Sequence, residues 1–517
     1  MTDGEAAPLL VRGRWIVTGA GDDDPTISDG AVLVRGGTVE EVGNWSALRD
    51  RFPSAEVLGS DTTAVLPGLI SGHHHVTGVT QTQQGILDDT LELWLLDLRR
   101  LRAGDPYLET LLTASRLLRS GVTSLVEMHR CGGSARLSET RIHQSLKGWD
   151  EAGLRVAFAA GVADQNPLVN GSGPDELQRF LDALPADARA AAEAFTPGPG
   201  DLQPDEYLAV MDSVSAAYAE HSRIEVWYGP PGPFWVTDDF MGRIAERARA
   251  HGTGIQTHVS ESFYEKLYGP RTYGQPVVLH LRELGVLGPR FSLAHAVWMT
   301  EAEIAALAES GTSVSHNPSS NLRLRAGIAP ARDMLQAGVT LGLGLDARGL
   351  DDDDDIFREM RVAMSLHRGP ILGSPVLSPR QALGLATTGG AKLLGKEGTL
   401  GRLAPGYAAD LVLLDTTRLS WPWVSPEADP RDLLVLRAQA GDVRTVLIGG
   451  EVALQDGRPT RFDLESVGRE VAAHMSATPF PAETARRVEL LREHVQAFYQ
   501  SWDTPELAPY LTYNSRQ

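Results

Sequence analysis

Five side chains of this sequence stand where a metal site could be assembled. His73 and His75 lie two apart in Gly72-His73-His74-His75, directly after an apolar run. Side chains alternate along an extended backbone, so these two imidazoles face one way and His74 faces another. His258 closes Ile255-Gln256-Thr257-His258, and His295 closes Ser292-Leu293-Ala294-His295. Asp346 closes Leu341-Gly342-Leu343-Gly344-Leu345-Asp346. One histidine at a strand end is ordinarily incidental; four histidines and an aspartate at four strand ends read as a ligand set. Imidazole and carboxylate without thiolate suit zinc or ferrous iron and leave room for water. Such an ion brings its water to a pKa of about 7, which supplies hydroxide at neutral pH. Glu261 follows His258 by three positions. Taken alone it reads as a solvated loop acid; beside a metal it can shuttle a proton to a leaving group.

Such convergence requires a fold that delivers strand ends to one rim. Short apolar runs near residues 64–70, 124–128, 155–161, 224–228, 254–257, 291–294, 312–315 and 340–345 predict eight strands. Amphipathic patterns between them, such as 107–120, 206–220, 237–251, 301–310 and 329–337, predict helices. Eight strand–helix units make a TIM (β/α)8 barrel, whose reactive groups sit at the C-terminal ends of the strands. β-rich runs with Gly-Gly turns at Gly36-Gly37 and Gly449-Gly450 occupy both flanks. They predict one small β-sandwich domain, 1–62 plus 398–460, around a barrel at 63–397. A helical extension spans 461–517, and the loose stretch 167–204 reads as an insertion or lid.

Bulk properties narrow the partners. The 517 residues are 42% hydrophobic and 22% charged, an ordinary globular balance. The formal net charge of −20 argues against nucleic acid and anionic membranes, both of which reward Lys and Arg. Cys131 is the single cysteine, which excludes disulfides and thiolate metal sites. Neither a signal peptide nor an apolar membrane span is evident, so a cytoplasmic protein is expected. The acidic run at 351–355 reads as a solvated helix start, since five consecutive acids cannot face one ion.

Together these motifs resemble the amidohydrolase superfamily, in the branch of cytosine and guanine deaminases, S-adenosylhomocysteine deaminases and triazine chlorohydrolases. The match runs through Pro67-Gly68-Leu69-Ile70 with His73-x-His75, then His258-Val259-Ser260-Glu261, then Ala294-His295-Ala296-Val297. It continues through Ser315-His316-Asn317-Pro318 and Gly344-Leu345-Asp346 to the re-entry segment Gly401-Arg402-Leu403-Ala404-Pro405-Gly406. The resemblance implies His73, His75, His258 and Asp346 as ligands of one divalent metal, zinc or alternatively ferrous iron. It implies that His295 orients the attacking water or the tetrahedral intermediate, that Asp346 also accepts the water's proton, and that Glu261 protonates the ring nitrogen and later assists departure of the leaving group. Binuclear relatives use a middle-strand lysine that Trp227-Tyr228-Gly229-Pro230-Pro231 lacks. The expected activity is deamination of an N-heterocyclic small molecule. Dechlorination, or hydrolysis of an amide, urea or N-alkylamine, is the alternative on the same site. Leu345, Ala347 and Gln83-Gln84-Gly85 depart from the family pattern near the substrate. Candidate substrate contacts are Gln84, Trp94, His129, Gln165, Trp235 and His316; a homodimer is expected by analogy.

Overall fold

The computed structural model describes residues 7–507 apart from 166, 167, 172, 173, 199 and 348. Parts of the expected insertion, and residues 508–517 of the expected extension, therefore lie outside the described residues. The chain opens with β1 (Leu9–Val17), β2 (Thr26–Arg35), β3 (Thr38–Asn44) and β4 (Glu56–Pro67). Eight strands follow: β5 (Leu69–His74), β6 (Val122–Arg130), β7 (Arg155–Gly161), β8 (Ile224–Tyr228), β9 (Ile255–Val259), β10 (Phe291–His295), β11 (Ser313–His316) and β12 (Leu341–Leu343). Last come β13 (Leu411–Asp415), β14 (Val443–Ile448), β15 (Glu451–Gln455) and β16 (Arg458–Pro459).

Strands β5 to β12 pair in chain order, each parallel to the next. The ring closes where the Leu345 and Asp346 N–H groups donate to the His73 carbonyl at 3.2 and 3.0 Å. Closure is tight enough that a Cβ at Gly344 would sit 2.2 Å from Asn317 Oδ1. This is the (β/α)8 barrel that the strand count predicts. Its strands are buried on both sides, as β7 illustrates. Val156, Phe158 and Ala160 pack outward among the helices, while Ala157 and Ala159 face Ile70, Val126 and Trp227 inside.

Local chemistry sets the helix limits. Asp105 accepts from the Tyr107 and Leu108 N–H groups at 3.0 and 3.1 Å, and Pro106 occupies the first turn of helix Pro106–Arg119. Such a cap stabilises a helix by about 1 kcal/mol. Gly153, at φ 83°, ends helix Ala135–Ala152 in the left-handed conformation. The two helices bury Leu111, Ala114, Leu117 and Leu118 against Ile142, Leu146 and Trp149 in the main core.

The flanking segments build a second, mixed sheet in the order β16-β15-β14-β13-β4-β1-β2-β3. Rather than two separate sheets, one sheet curls until the Gly36-Gly37 turn meets Gly449-Gly450. Val11, Val32, Val65, Leu411 and Leu447 fill its concave side. The run read as one barrel strand at 64–70 is divided between the sheets: β4 ends at Pro67 and β5 starts at Leu69. Gly68 allows the passage, since a Cβ there would lie 2.2 Å from Thr123 Oγ1.

Two later findings bear on the barrel mouth. Helix Ala482–Gln500 packs on helices Leu91–Asp97 and Ala186–Glu193. It is fastened by Arg492, which holds Asp97 at 2.8 Å and also pairs with Asp89, and by Tyr499 Oη, which accepts from the Asn170 N–H at 2.9 Å. The 351–355 run does start a helix, with Asp355 capping Ile356–Leu366. It is not wholly solvated, because Asp354 is buried between His74 at 3.3 Å and Arg116 at 2.8 Å.

Candidate metal centre and cavity

The ends of β5, β9 and β10 and the turn after β12 bring His73, His75, His258, His295 and Asp346 together. His75 Nε2 and His258 Nε2 are 3.3 Å apart. His73 Nε2 and His75 Nε2 each lie 3.5 Å from Asp346 Oδ1. His295 Nε2 stands 3.7 Å from Asp346 Oδ2 and 3.5 Å from Glu261 Oε2. Backbone strain marks the same places: Ser260, His295, Ala296 and Asp346 all have positive φ. Such conformations cost of order 1 kcal/mol or more each and persist where surrounding contacts over-determine them.

Every imidazole is oriented through its other nitrogen. His73 Nδ1 donates to Gln256 Oε1 at 2.8 Å, and the Gln256 amide is itself aimed by donating to the Gly72 carbonyl at 2.8 Å. His75 Nδ1 donates to the Met128 carbonyl at 2.8 Å and His258 Nδ1 to the Pro231 carbonyl at 2.6 Å. His295 Nδ1 meets Asn321 Oδ1 at 2.8 Å. With Nδ1 carrying the proton in each ring, all four Nε2 lone pairs converge. Burial, the largest cause, holds His75 and His295 down at about 4 and His258 further below its ordinary value. Neutral imidazole is the ligating form.

These residues fit a metal. His73 Nε2 is buried with no partner among the described residues. For bonds of about 2.0–2.1 Å, the edge of a coordination tetrahedron is about 3.4 Å. The spacings of 3.3 and 3.5 Å match that edge.

Glu261 lies beside the set, buried, with its backbone N–H donating to Glu265 Oε2 at 2.7 Å. Burial first, then the charges of Glu265, Asp346 and Glu92, hold its carboxyl well above the ordinary range. It therefore keeps its proton to higher pH than a solvated glutamate. A cavity of about 310 Å³ opens onto this centre, lined by His75, His258, Glu261, His295 and Asp346 at the polar end and by Leu91, Trp94, Leu95 and Trp235 on apolar walls. No lysine is among its lining residues.

A family model described as "Amidohydrolase family" matches residues 64–453. The chain belongs to the amidohydrolase family. This family is metal-dependent and hydrolyses carbon–nitrogen bonds, so the chain is a hydrolase of that kind. A 5'-deoxyadenosine deaminase of Methanosarcina mazei is 30% identical to this amidohydrolase over 472 residues, covering 90% of it and 96% of the relative. A 5-methylthioadenosine/S-adenosylhomocysteine deaminase of Nitratidesulfovibrio vulgaris is 30% identical over 469 residues, covering 89% and 95%. Among solved structures, an adenosine deaminase from Xanthomonas campestris with bound zinc superposes with a TM-score of 0.75 at 24% identity, covering 93% and 99%. An atrazine chlorohydrolase from Arthrobacter aurescens, complexed with zinc, gives 0.75 at 22% identity, covering 90% and 100%. At these identities the two structures speak for the shared fold.

The amidohydrolase fold sorts the expected substrate contacts into two groups. Trp94, His129 and Trp235 line the cavity. Gln84, Gln165 and His316 are not among its lining residues. Gln84 bridges the loop backbone, accepting from the Arg102 N–H at 3.1 Å and donating to the Val79 carbonyl at 3.4 Å. The Gln165 N–H donates to the Trp235 carbonyl at 3.1 Å, and His316 is buried against His367. Sequence reasoning missed Gln256, Asn321 and Glu265. Gln256 had a usable signal, since it shares a strand face with His258 two residues on. Cys131 is buried, and that burial pushes its thiol up to about 12. No described helix is long and apolar enough to cross a membrane.

Proposed function

We propose that this amidohydrolase is an aminohydrolase of an aminopurine nucleoside or a close N-heterocyclic analogue, releasing ammonia. The observation that carries this reading is Glu261, a buried carboxyl in the cavity lining, 3.5 Å from His295, whose burial and neighbouring carboxylates hold it well above the ordinary range. Deamination of an aromatic ring needs a proton delivered to a ring nitrogen before the neighbouring carbon accepts water. Glu261 supplies that proton to the ring nitrogen. Asp346 takes one proton of the attacking water, which His295 holds toward the ring. That proton passes to the departing amine, which leaves as ammonia, and the hydroxyl proton released as the carbonyl forms restores Glu261. His73, His75, His258 and Asp346 hold one divalent ion, zinc in our reading with ferrous iron as the alternative. When bound, such an ion supplies Lewis acidity that ionises water near neutral pH. The apolar walls exclude bulk water and seat a flat ring. The names of the two 30%-identical relatives support a purine nucleoside as the ring system. A homodimer in the cytoplasm completes the proposal, and its assembly is read by sedimentation.

The test is a panel of aminopurine nucleosides, aminopyrimidines, pterins and chloro- and amino-triazines, on protein of measured metal content. Ammonia from a purine nucleoside is the expected product. Chloride or alkylamine release, with adenine compounds untouched, would overturn the assignment.

A further inference from the structure

Alternation along β5 turns His73 and His75 toward the barrel mouth and His74 the other way. The His74 ring is fully buried. Its Nε2 meets Asp354 Oδ1 at 3.3 Å, and its Nδ1 has no partner among the described residues. A carboxylate only accepts, so Nε2 carries the proton of this contact. Asp354 belongs to the segment after β12, eight positions beyond Asp346. It is held at φ 56°, a conformation that persists where contacts over-determine it. Its Oδ2 accepts from Arg116 Nε at 2.8 Å. Arg116, in the last turn of helix Pro106–Arg119, also donates to the Gly78 carbonyl at 2.8 Å and to Thr77 Oγ1 at 3.1 Å.

One carboxylate thus ties the segment bearing Asp346 to the strand end bearing His73 and His75. The same two segments already meet where the Leu345 and Asp346 N–H groups donate to the His73 carbonyl. A single point of attachment lets two segments swivel; a second, eight residues on, removes that freedom. The other aspartates of the run are used elsewhere. Asp351 and Asp353 pair with Arg358 at 2.9 and 2.6 Å, Asp352 pairs with Arg323, and Asp355 caps the next helix. A buried ion pair contributes little net stability relative to apolar side chains of like volume. What the Asp354 contacts supply is position.

We propose that Asp354 is a positioning residue for the metal centre, acting through His74 to fix the end of β5 and so the placing of the His73 and His75 imidazoles against Asp346. The proposal rests on the metal-centre reading and is independent of the substrate.

The experiment measures zinc affinity of the full chain by competition with a chromophoric chelator, together with the visible spectrum of the cobalt-loaded protein and the Tm of the metal-free protein. His74→Leu removes the link and keeps the Asp354–Arg116 pair; Asp354→Asn removes the charge. Each is expected to weaken zinc binding by about 10-fold and to shift the cobalt spectrum, the scale of losing an outer support of a ligand. The double variant should bind zinc no more weakly than the more affected single variant, because both break one contact. His74→Gln, whose amide can donate to Asp354, should recover part of the affinity. Asp354→Asn leaves Arg116 without its carboxylate and is the variant at risk of unfolding; His74→Leu then carries the test. A lowered Tm with zinc affinity and cobalt spectrum unchanged marks a merely structural bond and overturns the proposal, as does an additive loss in the double variant. Wild-type protein that takes up no ion removes the metal centre and the brace together, whereas wild-type binding that both variants match removes the brace alone.

Discussion

Two pairs of histidines in this molecule make the same contact and mean different things. His75 and His258 approach through Nε2 at 3.3 Å, and His316 and His367 approach through Nε2 at 3.1 Å. Burial depresses the pKa in both pairs, holding His75 and His367 at about 4. The difference lies at the far nitrogen. His75 and His258 each spend their one proton on a carbonyl, of Met128 and Pro231. Two lone pairs are left facing each other, an arrangement that asks for a cation. His316 Nδ1 has no partner among the described residues, so its ring is free to carry the proton on Nε2. An ordinary N–H···N hydrogen bond then satisfies the second pair. Tautomer, not burial, separates the proposed ligand pair from the packing pair.

The largest break in this contrast comes from removing a ligand. His258→Ala is expected to lose bound metal and at least about 10³-fold in kcat/KM, the scale of losing several kcal/mol of charge stabilisation. Metal analysis alongside ammonia release reads it, and a metal-free variant of undiminished activity would sink the metal centre. Glu261→Gln should keep the ion and lose about 10²-fold or more. Because the Glu261 carboxyl titrates above its ordinary value, wild-type activity should fall on the alkaline side as that proton is lost. The fall should vanish from the residual activity of the variant, and a persisting limb assigns the proton elsewhere. Gln256→Leu strips His73 of its orienting acceptor and should weaken metal affinity by about 10- to 100-fold, measured by competition with a chelator. The smallest effect belongs to the other pair. His316→Phe leaves a His367 nitrogen unpaired and should cost about 1–3 kcal/mol of stability with metal content unchanged. A large loss of activity without any loss of stability would move His316 into the substrate site.

Much of the centre was legible because strand ends carry side chains with a fixed alternation. His73, His75, His258, His295 and Asp346 each follow an apolar run, and the barrel rule sends such positions to one rim. Their supports were harder to read. The Met128 and Pro231 carbonyls belong to the backbone, and every residue has one. The division of the first strand was hidden because β4 and β5 form one apolar run, and only the close approach of Thr123 to Gly68 marks the break.

The pairing of β4 with β13 carries a consequence for how the centre is made. Pro67 pairs with Leu411, and His73 lies only six positions beyond Pro67. During synthesis every proposed ligand from His73 to Asp346 has therefore emerged before β13, which pairs with the strand leading into the first of them. Contacts so distant in sequence form late and slowly. A nascent chain stopped before β13 would contain the whole proposed ligand set and still lack one of the two strands that flank β4, the strand leading into its first two imidazoles.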